Sequence, residues 1–300
     1  MLKATLKLPT ALSAAFLAVC LIPAAALAQT PAPASVPAAA VASAPAPAQS
    51  QPATPSDDAL LAKAAALYYS TSREGLSGFD CAVHPDWLGL FASASAGSVA
   101  INDPRVVLLN SVAIALHARM KGGSTLDWTP PAPTNKPLDQ DSISLLDGMH
   151  KASEQTLQGF LQFWTPFVDG SVVPANSQGL EMAPTADGGY RLHAQETGTD
   201  VVEVLDSGLI LRRFNVKMNG QRIDFTPTYS PTEKGLLVIR FLAHILADGA
   251  PPAQAQEMRV EVEYRTVDGF SIPSKLSMEV VGTGIFNFSF EGCTVTREPK

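Results

Sequence analysis

Three observations predict an α+β fold: a strongly curved antiparallel β-sheet, an open half-barrel, with helices packed on its concave face. First, apolar and charged residues alternate through "VEVEYRTVDGFSIPSKLSMEV" (260–280), and several stretches before it do the same. Second, everything after about Gly179 is punctuated by glycine turns, in "DGGYRL", "DSGLIL", "MNGQRI", "VDGFSI" and "GTGIFNF". Asn219-Gly220 and Asp268-Gly269 carry the strongest two-residue hairpin signal. Tight turns demand antiparallel neighbours, because parallel strands need long crossovers. Third, one long amphipathic helix precedes the strands and can cover the greasy face of a sheet that is wet on its other side.

The elements follow in chain order. Lys3 and Lys7 precede the apolar run Ala11–Ile22, and Ala26-Leu27-Ala28 has the small-x-small form of a cleavage site. Residues 1–28 therefore read as a signal peptide cut after Ala28, which places the protein in the periplasm or outside the cell. A competing reading takes Leu17-Ala18-Val19-Cys20 as a lipobox with Cys20 lipidated, but Val19 stands where a small residue is wanted. Residues 29–57 hold little besides Ala, Pro, Ser, Gln, Thr and Val, with no apolar period. They read as a disordered Ala/Pro-rich linker. Residues 58–300 are expected to form a single α+β domain.

A helix is expected over 58–72, capped by Asp57 or Asp58, with Leu60, Leu61, Ala64, Leu67 and Tyr68 at helical spacing. "GFDCAVHPDW" reads as a strand broken at Pro85. Asp103-Pro104 opens a short helical turn. After it, Val112, Ile114, Leu116, Ala118 and Met120 alternate, then Gly122-Gly123 turns the chain back through Ser124–Trp128. One helix continuing through Met120 is the alternative. The long helix spans 142–167, with Leu145, Leu146, Met149, Leu157, Phe160, Leu161 and Trp164 in one stripe and Pro166 at its end. Six to eight strands are expected beyond it, with "KGLLVIRFLAHIL" either a central strand or a strand running into a short helix.

Composition excludes some function classes. The chain has 21 Lys plus Arg against 28 Asp plus Glu, a net charge of −7. Loss of Lys3 and Lys7 with the signal leaves 19 against 28, or −9. With no basic stripe, neither nucleic acid nor an acidic membrane surface is an expected partner. No later stretch suits a transmembrane segment. After cleavage only Cys81 and Cys293 remain, and an even pair in an oxidising compartment points to a disulfide, with two separate thiols as the alternative.

Motifs for catalysis are lacking. His84, His117, His150, His193 and His244 form no metal-binding spacing, and Cys81-x-x-His84 is only a fragment of one. No nucleophile elbow or phosphate loop occurs. The expectation is a non-enzyme without metal or cofactor. The remaining candidates are aromatic and aliphatic: Phe160, Phe163 and Trp164 on the helix, and Phe214, Val216, Val262, Tyr264, Met278, Phe286, Phe288 and Phe290 on the strands. They line either an ordinary core or an apolar cavity.

At this point the sequence resembles a known family. Tyr264, Asp268, Gly269, Phe270, Ile272 and Pro273 form a strand, a "DG" turn and an "IP" strand similar to those of the LolA/LolB-like outer-membrane lipoprotein carriers. "VEVLDSGLILRRFNVKMNG" resembles the strand pair upstream, so the likeness covers about 190–295. The resemblance implies an unclosed barrel with helices as a lid, holding acyl chains in an apolar cavity without a cofactor. The function expected is an exported carrier of a lipidic or hydrophobic ligand, with envelope proteins as further partners. The alternative is a non-catalytic envelope structural or interaction domain with a filled core.

Overall fold

The computed structural model describes residues 56–94, 99–131, 138–174, 176–196, 199–218 and 220–298. The stretch read as a signal peptide (1–28), Cys20, nearly all of the Ala/Pro-rich segment and Asn219 lie outside the described residues. Those described contain four α-helices and one antiparallel sheet of twelve strands.

The helices are α1 (Asp57–Ala66), α2 (Trp87–Ala94), α3 (Pro104–Asn110) and α4 (Gln140–Val168). The strands are β1 (Leu76–Pro85), β2 (Ala113–Arg119), β3 (Gly123–Thr129), β4 (Leu180–Pro184), β5 (Tyr190–Glu196) and β6 (Thr199–Leu205). They continue with β7 (Leu211–Met218), β8 (Gln221–Thr232), β9 (Gly235–Ala247), β10 (Gln256–Val267), β11 (Phe270–Val280) and β12 (Gly284–Arg297). The spatial order is β3-β2-β1-β12-β11-β10-β9-β8-β7-β6-β5-β4. A meander from β4 to β12 is thus extended by the early strands, with β1 docked on β12. The sheet is open, with β3 and β4 at its edges.

Register explains why one face is greasy. Phe214 lies opposite Phe225, Phe225 opposite Ala243, and Ala243 opposite Met258. Val262, two alternations along β10 from Met258, lies opposite Leu276, which lies opposite Phe288. Side chains alternate across a strand with period two, so Phe214, Val262 and Phe288 share one face. The other face carries ion pairs between neighbouring strands, such as Arg240–Glu261 (2.8 Å) and Lys275–Glu263 (2.9 Å). Asp268 and Gly269 have φ of 48° and 88°, which suits a tight hairpin turn with both central residues left-handed.

Helix α4 lies against the apolar face. Asp139 caps it by accepting from the Ser142 amide at 2.8 Å. Near its start, His150 stacks on Trp128 of β3, with centroids 5.0 Å apart. Further along, Trp164 meets Phe79 of β1, and Phe163 packs on Phe225 (4.3 Å) and Phe241 (4.4 Å). Trp164 is fully buried, yet its indole N–H is satisfied. It donates to Tyr264 Oη at 2.8 Å, and that hydroxyl donates to the Val238 carbonyl at 2.6 Å.

Four local readings are revised. The first helix ends at Ala66 rather than near residue 72, because Tyr68 makes a parallel bridge to Leu236 of β9. Gly235, at φ 119°, permits that approach: a Cβ there would lie 2.8 Å from the Leu67 carbonyl oxygen. Residues 87–94, where no element was expected, form α2, which fills space beside β12 and sets Trp87 against Trp128 at 6.2 Å. Pro166 sits inside the last turn of α4 rather than ending it. Nine strands, not six to eight, follow residue 179, and 235–247 is wholly strand. Cys81 and Cys293 are bonded, joining β1 to β12 where their register shifts, with Cα atoms 4.2 Å apart.

Candidate functional site

The sequence-derived site residues do not form one open pocket. Phe160, Phe163, Trp164, Val262, Met278, Phe288 and Phe290 are all buried in a single apolar body between α4 and the sheet. Phe214, Tyr264 and Phe286 are partly buried and pack against it. Val216 belongs to a small separate cluster with Ala194 and Val201, near the β4 edge. Ring contacts as close as those of Phe163 mark this interior as packed around that side chain.

Open space lies beside α4. A cavity of about 720 Å³ separates the β2–β3 hairpin from the C-terminal half of the helix. Its apolar lining comes from Ala118 and Met120 of the hairpin and Leu161 and Pro166 of the helix. Gln158, Gln162, Thr165 and Ser124 add polar lining. Arg119 and Lys121 also reach it, but Arg119 pairs with Asp80 at 2.8 Å and Lys121 pairs with Glu298.

The inner end of this cavity is built where the chain after α1 meets the end of α4. The backbone amides of Thr71 and Ser72 donate to the Val168 and Asp169 carbonyls at 2.6 and 2.9 Å. The Ser70 and Ser72 hydroxyls add further donors to the Asp169 carbonyl. Asp169 lines the cavity, and its side chain accepts from Thr71 Oγ1 at 3.1 Å. Burial raises its pKa above the ordinary carboxylate range, opposed by the Thr71 hydrogen bond and the charge of Lys121.

A second groove, of about 640 Å³, lies where β9 to β12 turn their wet face outward. Arg240, Glu261, Glu263 and Lys275 line it, already joined as two ion pairs, and the sequence-derived residues Val262, Tyr264 and Phe288 contribute to the same lining. The strand histidines also belong to this face. His117 sits 2.6 Å from Asp80 and 3.2 Å from Asp127, and His193 lies 2.8 Å from Asp200 and 3.1 Å from Glu181. Those hydrogen bonds raise both imidazole pKa values. Among the described residues no group of three or more His, Cys, Asp or Glu is placed to hold a metal ion. No helix among them is long and apolar enough to cross a membrane.

One inward-facing group escaped the reading of the sequence. Glu203 of β6 lies opposite Leu192 and Phe214 and is 6 % exposed. Among the described residues its Oε2 has no hydrogen-bond partner, nor has the buried hydroxyl of Tyr229. Desolvation pushes the Glu203 carboxyl from 4.5 up to about 8. Tyr68 stands beside Tyr229 with ring centroids 5.3 Å apart, and Tyr68 Oη accepts from the Leu211 amide at 2.6 Å. Burial, with the Glu203 charge adding to it, raises the pKa of both phenols, that of Tyr68 to about 12. The signal was present in the alternation: Val201, Glu203 and Leu205 share a parity, so a charge stood on the greasy side. Compared with known proteins, the chain matches no family model, no curated protein and no solved structure.

Proposed function

We propose that this chain is an exported binding protein for an amphiphilic ligand, held between α4 and the β2–β3 end of the sheet. In this reading the sheet curves into an open half-barrel, α4 lies on its concave side as a lid, and the packed aromatics form the frame. The observation that carries it is the cavity beside α4. Its volume, about 720 Å³, falls in the range of about 300–1,000 Å³ common for small-molecule sites. Apolar lining by Met120, Leu161 and Pro166 together with amides and hydroxyls suits a greasy chain with a polar head. Each methylene buried against that lining contributes about 0.8 kcal/mol. The resemblance of 190–295 to the LolA/LolB-like carriers points the same way. A location outside the cytoplasm fits the signal-like start of the sequence and the Cys81–Cys293 bond.

Mass spectrometry of an organic extract of the purified protein, with titration by a fluorescent fatty acid, tests the proposal. Stoichiometric lipid or saturable uptake is expected, and Thr165→Trp, which fills the cavity from its wall, abolishes uptake without unfolding the protein. Close packing of Phe163 on Phe225 and Phe241 favours a second reading, an envelope interaction domain with a filled core. An empty extract, no uptake and capture of an envelope protein by the full chain would select it.

A further inference from the structure

We propose that the polar head this cavity accepts is a primary ammonium, anchored by the Asp169 carboxylate just past the C-terminal end of α4 and by the Gln162 main-chain carbonyl in the last two turns of that helix. The inference rests on the cavity being the ligand site. It is argued from the Asp169 carboxylate and from the amide hydrogen that Pro166 lacks, since the terminal carbonyls themselves are taken by the Ser70–Ser72 segment.

Helix α4 is 29 residues long and has no basic side chain in its last turn. Aligned peptide dipoles place about half a negative charge at such an end, which cations normally offset. Here the next residue is Asp169, a further negative group. Proline has no amide hydrogen, so Pro166 withholds the bond that the Gln162 carbonyl would receive in an unbroken helix. Gln162, Pro166 and Asp169 all line the cavity.

The cations nearby are committed elsewhere. Arg119 holds Asp80 and Lys121 holds Glu298, and neither of those carboxylates lines the cavity. Among the described residues Asp169 forms no ion pair within 4.0 Å; the Thr71 hydroxyl is its side-chain partner. Lys121 and Glu298 are the charged groups that act on it, and they act in opposite senses. An ammonium carries three donors and no acceptor, which matches this set. A carboxylate or phosphate head would instead meet the Asp169 charge, with the Arg119 and Lys121 charges on the same lining already offset by Asp80 and Glu298. The greasy tail then runs along Leu161 and Met120.

Calorimetric titration of the full chain at pH 7 with dodecylamine, dodecanoate and dodecanol, each below its micelle concentration, tests this. The amine is expected to bind roughly 10–100-fold more tightly than the carboxylate, the range that one charge-assisted contact supplies. Asp169→Asn should remove most of that preference. Gln162→Lys, which places an ammonium in the cavity without touching the Thr71 contact, should weaken the amine relative to the carboxylate and covers failure of Asp169→Asn to fold. Equal or tighter binding of dodecanoate, or a preference that survives both substitutions, overturns the proposal while leaving the cavity as a site for amphiphiles. Failure of all three compounds to bind overturns the cavity reading itself, and this inference with it.

Discussion

Replacing Glu203 by Gln should make the protein more stable, and by an amount that depends on pH. In the unfolded chain this carboxyl loses its proton near 4.5; in the folded protein it keeps it to about 8. A folded-state pKa raised for an acid means that the native state binds more protons, so stability falls as pH rises between those values. At 1.36 kcal/mol per pKa unit, the loss is roughly 3 kcal/mol by pH 7 and levels near roughly 5 kcal/mol above pH 8. Glutamine keeps the shape and never ionises, so the variant escapes that loss. Any cost of its own unpaired amide is the same at every pH. Urea unfolding of both proteins at pH 5, 7 and 8.5, without reductant, gives the comparison. The two stabilities should diverge as pH rises, with the variant the more stable. Curves that run parallel across this range would refute the placement of Glu203 as a desolvated, unpartnered acid.

Other outcomes follow from the same geometry. Tyr264→Phe removes the hydroxyl between Trp164 Nε1 and the Val238 carbonyl; stranding a buried indole N–H should cost about 1–3 kcal/mol by chemical denaturation, and a change within error argues against that bridge. Replacing Cys81 and Cys293 by Ala opens a crosslink over 212 residues; the chain-entropy estimate is about 5 kcal/mol, read as a lower melting temperature that matches the reduced protein. NMR titration should place the His117 and His193 imidazoles above 6.5. Stability from those pairs is complete below the unfolded histidine pKa and is lost as pH rises through the raised folded values, while Asp80→Asn should return His117 toward 6.5. Gly235→Ala should destabilise the joint between residues 67–69 and β9, because a Cβ meets backbone there; hydrogen exchange at the Leu236 amide, which donates to the Leu67 carbonyl at 2.8 Å, reports it.

Much of the sheet was legible because one face is buried and the other is wet. Val260, Val262, Leu276, Met278, Phe286, Phe288 and Phe290 keep period two, and a slip of one residue would expose them all. The long helix was legible from its apolar stripe. Three features were not, for identifiable reasons. Helix α2 is "WLGLFASA", too short and too uniformly apolar to show a helical period. The end of α1 is set by pairing of Tyr68 with a strand more than 160 residues later, which local propensity cannot anticipate. The cavity lies between a hairpin and the flank of α4, and Gln158, Gln162 and Thr165 read as ordinary solvated positions until Met120 is placed opposite them. Glu203 was within reach, since its parity with Val201 and Leu205 marks it as inward.

The docking of β1 on β12 has a temporal consequence. During synthesis at about 5–20 residues per second, β12 emerges roughly 10–40 s after β1. Throughout that interval β1 can hold β2 on one side, but its other edge has no neighbour and the Cys81 thiol has no mate. The nascent chain must therefore shield an adhesive strand until β12 arrives, and any delay at that step favours pairing between molecules over pairing within one.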